Sequence, residues 1–207
     1  MSLIQQTLPH YDVHEIHSIE IHATPERVYE ALKQYRMGSS PLFRFLFSLR
    51  KLGGLPTLLL RRQPLTRNWN FEEPSILNLK PFVVVAEVPN EEVVLGLIGK
   101  FWQPAPPQVN LKDGDEFLYF NDPSYAKAAM NFLLESHDNI TTLTTETRVH
   151  VPEPTSRLLF RFYWALISFF SGWIRMDMLN RIKRTAESRQ TDAVLETASV
   201  SAVRGSE

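Results

Sequence analysis

The strongest run of apolar positions lies between Pro154 and Arg189. Leu159, Phe162, Leu166, Phe169, Trp173 and Met176 recur at spacings of three and four, the repeat of one helical face. Phe160, Tyr163, Trp164 and Phe170 add aromatic bulk between them. Thr155 or Ser156 can cap the start, because a hydroxyl there accepts from a free N–H of the first turn. The pattern predicts one long amphipathic helix whose stripe needs a broad, concave partner.

Alternating patterns supply that partner. Val13 to His22 reads as a first strand, with Ile19 and Ile21 on one face and Ser18, Glu20 and His22 on the other. Thr24-Pro25 then opens a helix to about Gln34, with Val28, Ala31, Leu32 and Tyr35 as its stripe. A second helix is expected from Pro41 to Leu52, stopped by Gly53-Gly54, and irregular chain with one short helix from Leu55 to Leu79. Strands follow at Phe82–Val88, Val93–Trp102 and Glu116–Phe120, with Gly96 and Gly99 marking bulges or close approaches. Pro104-Ala105-Pro106-Pro107 reads as a stiff loop. Tyr125–Ser136 has helix-favouring alanines, yet its neighbours and the turn His137-Asp138-Asn139 favour a strand. Thr141–Val151 is the clearest strand. The fold class is therefore α+β: a curved antiparallel sheet wrapped around a long C-terminal helix, with two short helices after the first strand.

The 207 residues suit one domain over 11–189, with 1–10 as an N-terminal extension and 190–207 as a disordered tail poor in large apolar side chains. A formal net charge of -1 argues against a general nucleic-acid binder. Without cysteine, disulfides and thiolate chemistry are excluded, and the first residues carry no signal-peptide pattern, so a cytoplasmic address is expected. The longest charge-free run of the terminal helix, 162–174, is shorter than the roughly 20 residues a bilayer requires.

The opening Ile19-Glu20-Ile21-His22-Ala23-Thr24-Pro25-Glu26-Arg27-Val28-Tyr29, with the order strand, two helices, meander and long helix, resembles the helix-grip superfamily. That superfamily includes steroidogenic-acute-regulatory-type lipid-transfer domains, birch-pollen-allergen-like proteins and polyketide cyclases. Residues 92–102, 144–149, 173–175 and 182–184 are similar to a bacterial branch of it. The resemblance spans about Tyr11 to Arg189. It implies a ligand cavity between sheet and helix and carries over no catalytic residue, because one fold hosts many functions.

Candidate chemistry is sparse. His14 and His22 share a strand face but lie roughly 26 Å apart at about 3.3 Å per residue, while His17 points the other way. One metal cannot join them at bond lengths of about 2 Å, so no metal site is expected. No G-x-S-x-G, P-loop or dinucleotide fingerprint occurs, and no cofactor is implied. Period two puts Glu146 and Arg148 on one strand face and Leu143, Thr145, Thr147 and Val149 on the other. The more apolar set is expected to face the helix, leaving Glu146 and Arg148 to outer cross-strand ion pairs. If Arg148 faces the cavity instead, its planar fork suits an acidic or carbonyl-bearing ligand.

The candidate ligand-binding residues are Trp102, Tyr119, Asn131, Arg148, Tyr163 and Trp164, mostly apolar bodies with polar tips. The expected function is binding or carrying a hydrophobic small molecule or lipid. One alternative is a cyclase- or dehydratase-like enzyme on an aromatic or polyketide-like substrate, with Glu146, Arg148, Tyr119 and Asn131 as acid–base candidates. The other is a peripheral membrane lipid exchanger, using Arg44, Arg50, Lys51, Arg61 and Arg62 together with Arg175, Arg181, Lys183 and Arg184. Oligomeric state stays open.

Overall fold

Alternation and capping place the elements of the computed structural model, which describes residues 1–36, 75–78, 81–103 and 109–204, without the side chains of 166, 169 and 189–204. The elements are α1 (Leu3–Thr7), β1 (Val13–Ile21), α2 (Pro25–Gln34), a 3-10 turn (Ile76–Asn78), β2 (Val83–Val88), β3 (Glu92–Gly99), α3 (Gly114–Tyr119), β4 (Ala126–His137), β5 (Ile140–His150) and α4 (Pro154–Arg204). The five strands form one antiparallel sheet in the order β1-β5-β4-β3-β2, and α4 packs on it. The architecture is α+β with a helix gripped by a sheet. The expected helix over 41–52, the loop over 104–107, the basic residues 44–62 and all of 55–79 but 75–78 lie outside the described residues.

The β4–β5 hairpin turns through Asp138 (φ 48°) and Asn139 (φ 64°), the two left-handed residues that a tight hairpin matching strand twist requires. Its partners pull Tyr125–Ser136 into a strand: β4 pairs with β3 on one side and β5 on the other. Inter-strand bonding thus outweighs alanine's helix preference.

Two faces of the sheet carry separate cores. The inner face, toward α2 and α4, buries Ile21, Val93, Leu95, Phe132 and Leu143 against Val28, Leu32, Met178, Leu179 and Ile182. The outer face buries Val94, Ile98 and Ala129 beneath Ile4, Leu8 and Phe117. The N-terminal extension is thus a strap across the back of the sheet. Glu92 fastens it by accepting from Leu3 N at 2.6 Å and Ile4 N at 3.2 Å.

Three local expectations change. In the expected strand Glu116–Phe120, residues 116–119 are helix and Phe120 follows as an extended residue: Asp113 Oδ1 accepts from Glu116 N at 2.9 Å, while Glu116 Oε2 accepts from Lys112 N at 2.9 Å. This reciprocal cap starts α3 and drives Phe117 onto Gly96, where a Cβ would lie 2.6 Å from the ring. Helix α4 is capped by Glu153, whose carboxylate accepts from Thr155 N at 2.8 Å and Ser156 N at 2.5 Å, in place of the two hydroxyls. Residues 190–204 continue that helix where a tail was expected, since no proline or glycine interrupts them.

The largest correction concerns the phase of α4. Leu159, Phe162 and Trp173, assigned to the buried stripe, are 53%, 69% and 57% exposed. The inward face runs instead through Phe160, Trp164, Gly172, Arg175, Met178, Ile182 and Ala186. Between 158 and 174 large apolar side chains fall on most sides of α4, with Arg161 the one charged residue, so hydrophobicity alone does not select a face. Among the described residues no helix is long and apolar enough to cross a membrane.

Candidate functional site

Strand parity carries Val13, Glu15, His17, Ile19 and Ile21 to the inner face of β1, and Thr141, Leu143, Thr145, Thr147 and Val149 to that of β5. The antiparallel register sets Glu15 opposite Thr147 and His17 opposite Thr145, and Met130 of β4 adjoins Thr147 from the other side. Directly opposed side chains on one face lie about 5 Å apart at Cβ. Four polar residues therefore meet in a patch on an otherwise apolar surface.

Helix α4 completes the patch. Gly172 lies over β1, where a Cβ would meet Glu15 Oε1 at 3.0 Å and His17 Cε1 at 3.2 Å. One turn on, Arg175 Nη1 lies 3.0 Å from Met130 Sδ and donates weakly to Thr145 Oγ1 at 3.5 Å. Glu15 Oε1 and His17 Nε2 are 2.7 Å apart. Arg175 keeps some accessible surface as a residue, but its Nε is sealed from solvent. Burial pulls the guanidinium below its usual range, and the Glu15 carboxylate opposes that shift.

Three atoms of this patch are buried without a hydrogen-bond partner: Glu15 Oε2, Thr147 Oγ1 and Arg175 Nε. A fourth such atom, Arg27 Nη1, belongs to α2. Each orphaned polar group costs about 1–3 kcal/mol, a considerable share of the roughly 5–15 kcal/mol by which domains are stable.

The patch is a belt between two apolar clusters. Toward one end, Val13, Val149, Val151, Ala126, Phe101 and Trp102 surround Phe160, with Tyr163 and Trp164 beside it. Toward the other, Ile19, Ile21 and Leu143 meet Met178, Leu179 and Ile182. β1, β5 and α4 each interrupt their apolar face at the same level. Among the described residues no group of three or more His, Asp or Glu side chains is placed to hold a metal.

The sequence-derived candidates separate into three places. Trp102, Tyr163 and Trp164 gather around the Phe160 ring at centroid distances of 6.2, 6.0 and 5.9 Å. Asn131 and Arg148 lie on the outer face. Asn131 Nδ2 donates to Glu92 Oε1 at 2.7 Å and Oδ1 accepts from Glu146 N at 2.8 Å. Arg148 donates to Glu146 Oε1 at 2.7 Å and Leu8 O at 3.2 Å, with its guanidinium 4.8 Å from the Tyr11 ring centre. Tyr119 is 83% exposed on α3. Glu146 and Arg148 thus face outward as expected, but under the N-terminal strap, paired along one strand; the cross-strand contact is His14 Nδ1 to Glu146 Oε1 at 3.8 Å.

Of the basic residues on α4, Arg181 pairs with Asp177 at 2.9 Å and Lys183 donates to Glu20 O at 2.8 Å. An open cleft of about 350 Å³ lies between Tyr35, Arg36, Arg181 and Arg184, and another of about 370 Å³ between Met1, Gln5, Tyr11 and Arg148. Burial and the nearby Asp177 carboxylate push the Tyr35 hydroxyl up to about 12.

Glu15, His17, Thr145, Thr147 and Arg175 were not among the sequence-derived site residues. Parity with Ile19 and Ile21 was the available signal for Glu15 and His17.

No family model and no curated protein sequence matches this chain. Among solved structures, the chain is similar to CalU16 from Micromonospora echinospora, at 11% identity over 84% of each chain and a TM-score of 0.29. It is also similar to a Thalictrum norcoclaurine synthase point mutant in complex with a transition-state analogue, at 12% identity over 83% of this chain and 94% of that one, TM-score 0.34. A third is the Zhui aromatase/cyclase from Streptomyces sp. R1128, at 13% identity over 86% and 94%, TM-score 0.28. Similarity at this level carries no argument about activity.

Proposed function

We propose that this protein binds a hydrophobic small molecule between the inner face of the sheet and α4. One observation carries the reading. A belt of polar side chains, with three orphaned atoms, crosses the apolar layer at the level of Glu15, Thr147 and Arg175. Fold stability alone gives no reason to keep these groups, since apolar residues of similar size avoid the desolvation cost. A ligand with an apolar body and a polar group satisfies both parts of the layer. The aromatic end around Phe160 and Trp164 supplies the apolar wall.

Native mass spectrometry on the gently purified protein, with organic extraction of the same sample, tests this. The expected result is a small hydrophobic adduct that is lost from a folded Arg175→Met variant. Absence of any adduct, or one retained unchanged by that variant, counts against the interior site.

A second reading is favoured by the 2.7 Å contact between Glu15 Oε1 and His17 Nε2. A carboxylate that orients an imidazole is an acid–base pair. If the chain is an enzyme, this pair replaces the outward-facing Glu146, Arg148 and Asn131 and the exposed Tyr119 as the acid–base set. Turnover that survives in Thr147→Val but vanishes in a folded His17→Asn supports it.

A further inference from the structure

We propose that the open cleft between α2 and α4 binds a phosphoryl group, as a phosphate monoester whose organic part reaches solvent. It is a second site, independent of the interior one. The end of α2 supplies Tyr35 and, just beyond it, Arg36; α4 supplies Arg181, Arg184 and Thr185. Positions 181, 184 and 185 are neighbours on one helical face, three and four residues apart. The space is about 350 Å³, at the small end of the roughly 300–1,000 Å³ of small-molecule clefts.

Both walls present donors. Arg181 gives its Nε–H to Asp177 Oδ2 at 2.9 Å, and its two terminal nitrogens make no hydrogen bond among the described residues. Arg184 is exposed and makes no hydrogen bond or ion pair among them. Tyr35 is the second signal. It is only 7% exposed, yet its hydroxyl has no partner among the described residues and is not sealed from solvent. Asp177 and Arg181 both act on that hydroxyl electrostatically, which places it on the α4 side. Burial first, and Asp177 second, push it up to about 12, so at neutral pH it keeps its proton and donates. Packing alone needs only the ring.

The charge calls for an anion of more than one unit. Arg36, Arg181 and Arg184 line the cleft, and among the described residues no carboxylate does. Arg36 follows the C-terminus of α2, where the helix dipole favours a cation. Arg181 and Arg184 lie well inside α4, so no dipole accounts for them. A carboxylate ligand carries one charge and two oxygens in a plane. A phosphate monoester carries about −1.5 to −2 and three terminal oxygens, which spread to donors on both walls. Each guanidinium meets two of those oxygens with paired N–H groups.

Calorimetry on the full chain at neutral pH, with phenyl phosphate and benzoate, tests the site. Phenyl phosphate is expected to bind one per chain, at least about tenfold more tightly than benzoate, as one more charge-assisted hydrogen bond predicts. Arg184→Gln, a change at an exposed side chain, is expected to weaken it about tenfold. Tyr35→Phe keeps the ring and is expected to weaken it about threefold. Arg161→Gln removes an exposed arginine of α4 that does not line the cleft and is expected to leave the affinity unchanged. Phosphatidylcholine vesicles with and without about 20% phosphatidic acid distinguish the source of the group. Sedimentation with the phosphatidic acid vesicles alone, reversed by phenyl phosphate and reduced by Arg184→Gln, assigns a lipid headgroup. Phenyl phosphate binding without sedimentation assigns a soluble ester. Failure of phenyl phosphate to bind, benzoate bound as tightly, or equal losses in Arg184→Gln and Arg161→Gln overturns the site. So does an affinity unchanged in folded Arg184→Gln or Tyr35→Phe.

Discussion

Gly172 of α4 sits over Glu15 of β1 with no room for a methyl group to spare: a Cβ at 172 would lie 3.0 Å from Glu15 Oε1. Glycine in a helix interior costs about 1 kcal/mol relative to alanine. Here it lets the helix approach the polar belt. A bulky side chain at this position must push Glu15 away from His17 or lift the helix. Gly172→Leu is expected to destabilise the fold by about 1–3 kcal/mol, read as a lower urea midpoint with an unchanged slope. It should also abolish binding of apolar probes. A variant as stable as wild type that still binds them contradicts this contact.

The two arginines on opposite faces of the sheet should behave differently. Arg148 ties Glu146 to the strap through Leu8 O. Arg148→Met is expected to speed amide exchange at Ile4 and Leu8 and to leave probe affinity at the inner face within about twofold, because the sheet separates it from the belt and additivity holds for sites without shared partners. Loss of probe binding in Arg148→Met, with the strap unchanged, places the ligand on the outer face instead.

Glu92 is 4% exposed and accepts from Leu3 N, Ile4 N and Asn131 Nδ2. Glu92→Ala leaves those donors without an acceptor under the strap. An expected loss of about 2–3 kcal/mol follows from unsatisfied buried donors, measured by denaturant titration. Deletion of residues 1–8 in the Glu92→Ala background should then cost less than in wild type, since both changes remove the same bonds. Additive losses argue that the strap is held by its apolar contacts alone.

The cap of α4 gives a pH dependence with a definite sign. Hydrogen bonds from Ser156 and Thr155 hold the Glu153 carboxyl down to about 2, from an ordinary 4.5. A group whose value is lowered on folding contributes stability that is fully present above its unfolded value. That contribution is lost as pH falls from about 4.5 through about 2. The urea-midpoint gap between wild type and Glu153→Gln should therefore be constant at neutral pH and close over that acidic window. A gap that persists at the acid end assigns the effect to something other than this carboxylate.

Much of the scaffold is legible along the chain. Alternation marks β1 and β5, neighbouring strands and the turn at 137–139 mark β4 against its alanines, Thr24-Pro25 marks the start of α2, and the Asp138-Asn139 turn follows from two residues that tolerate left-handed backbone. α3 was missed because Phe117, Leu118 and Tyr119 read as strand formers, whereas the signal lay in Asp113 and Glu116, spaced as a reciprocal cap. The outward placement of Glu146 and Arg148 follows from parity with Thr145 and Thr147. That a strap would cover them does not, since a segment of helix as short as α1 acquires its position only from the surface it docks on.

By itself the chain determined which residues share a face: Glu15 with His17 and Ile19, Thr145 with Thr147 and Leu143, because side-chain direction in a strand repeats every second residue. It also determined that a long aromatic helix must end the domain. Only the tertiary structure decided which side of that helix looks inward, and so brought Arg175 and Gly172 over the belt while leaving Phe162 and Trp173 exposed. The physical reason is that local periodicity is blind to phase where large apolar side chains fall on most sides of a helix, as they do between 158 and 174. The long-range register of β1 on β5 sets Glu15 beside Thr147, and Gly172 lets α4 close on them.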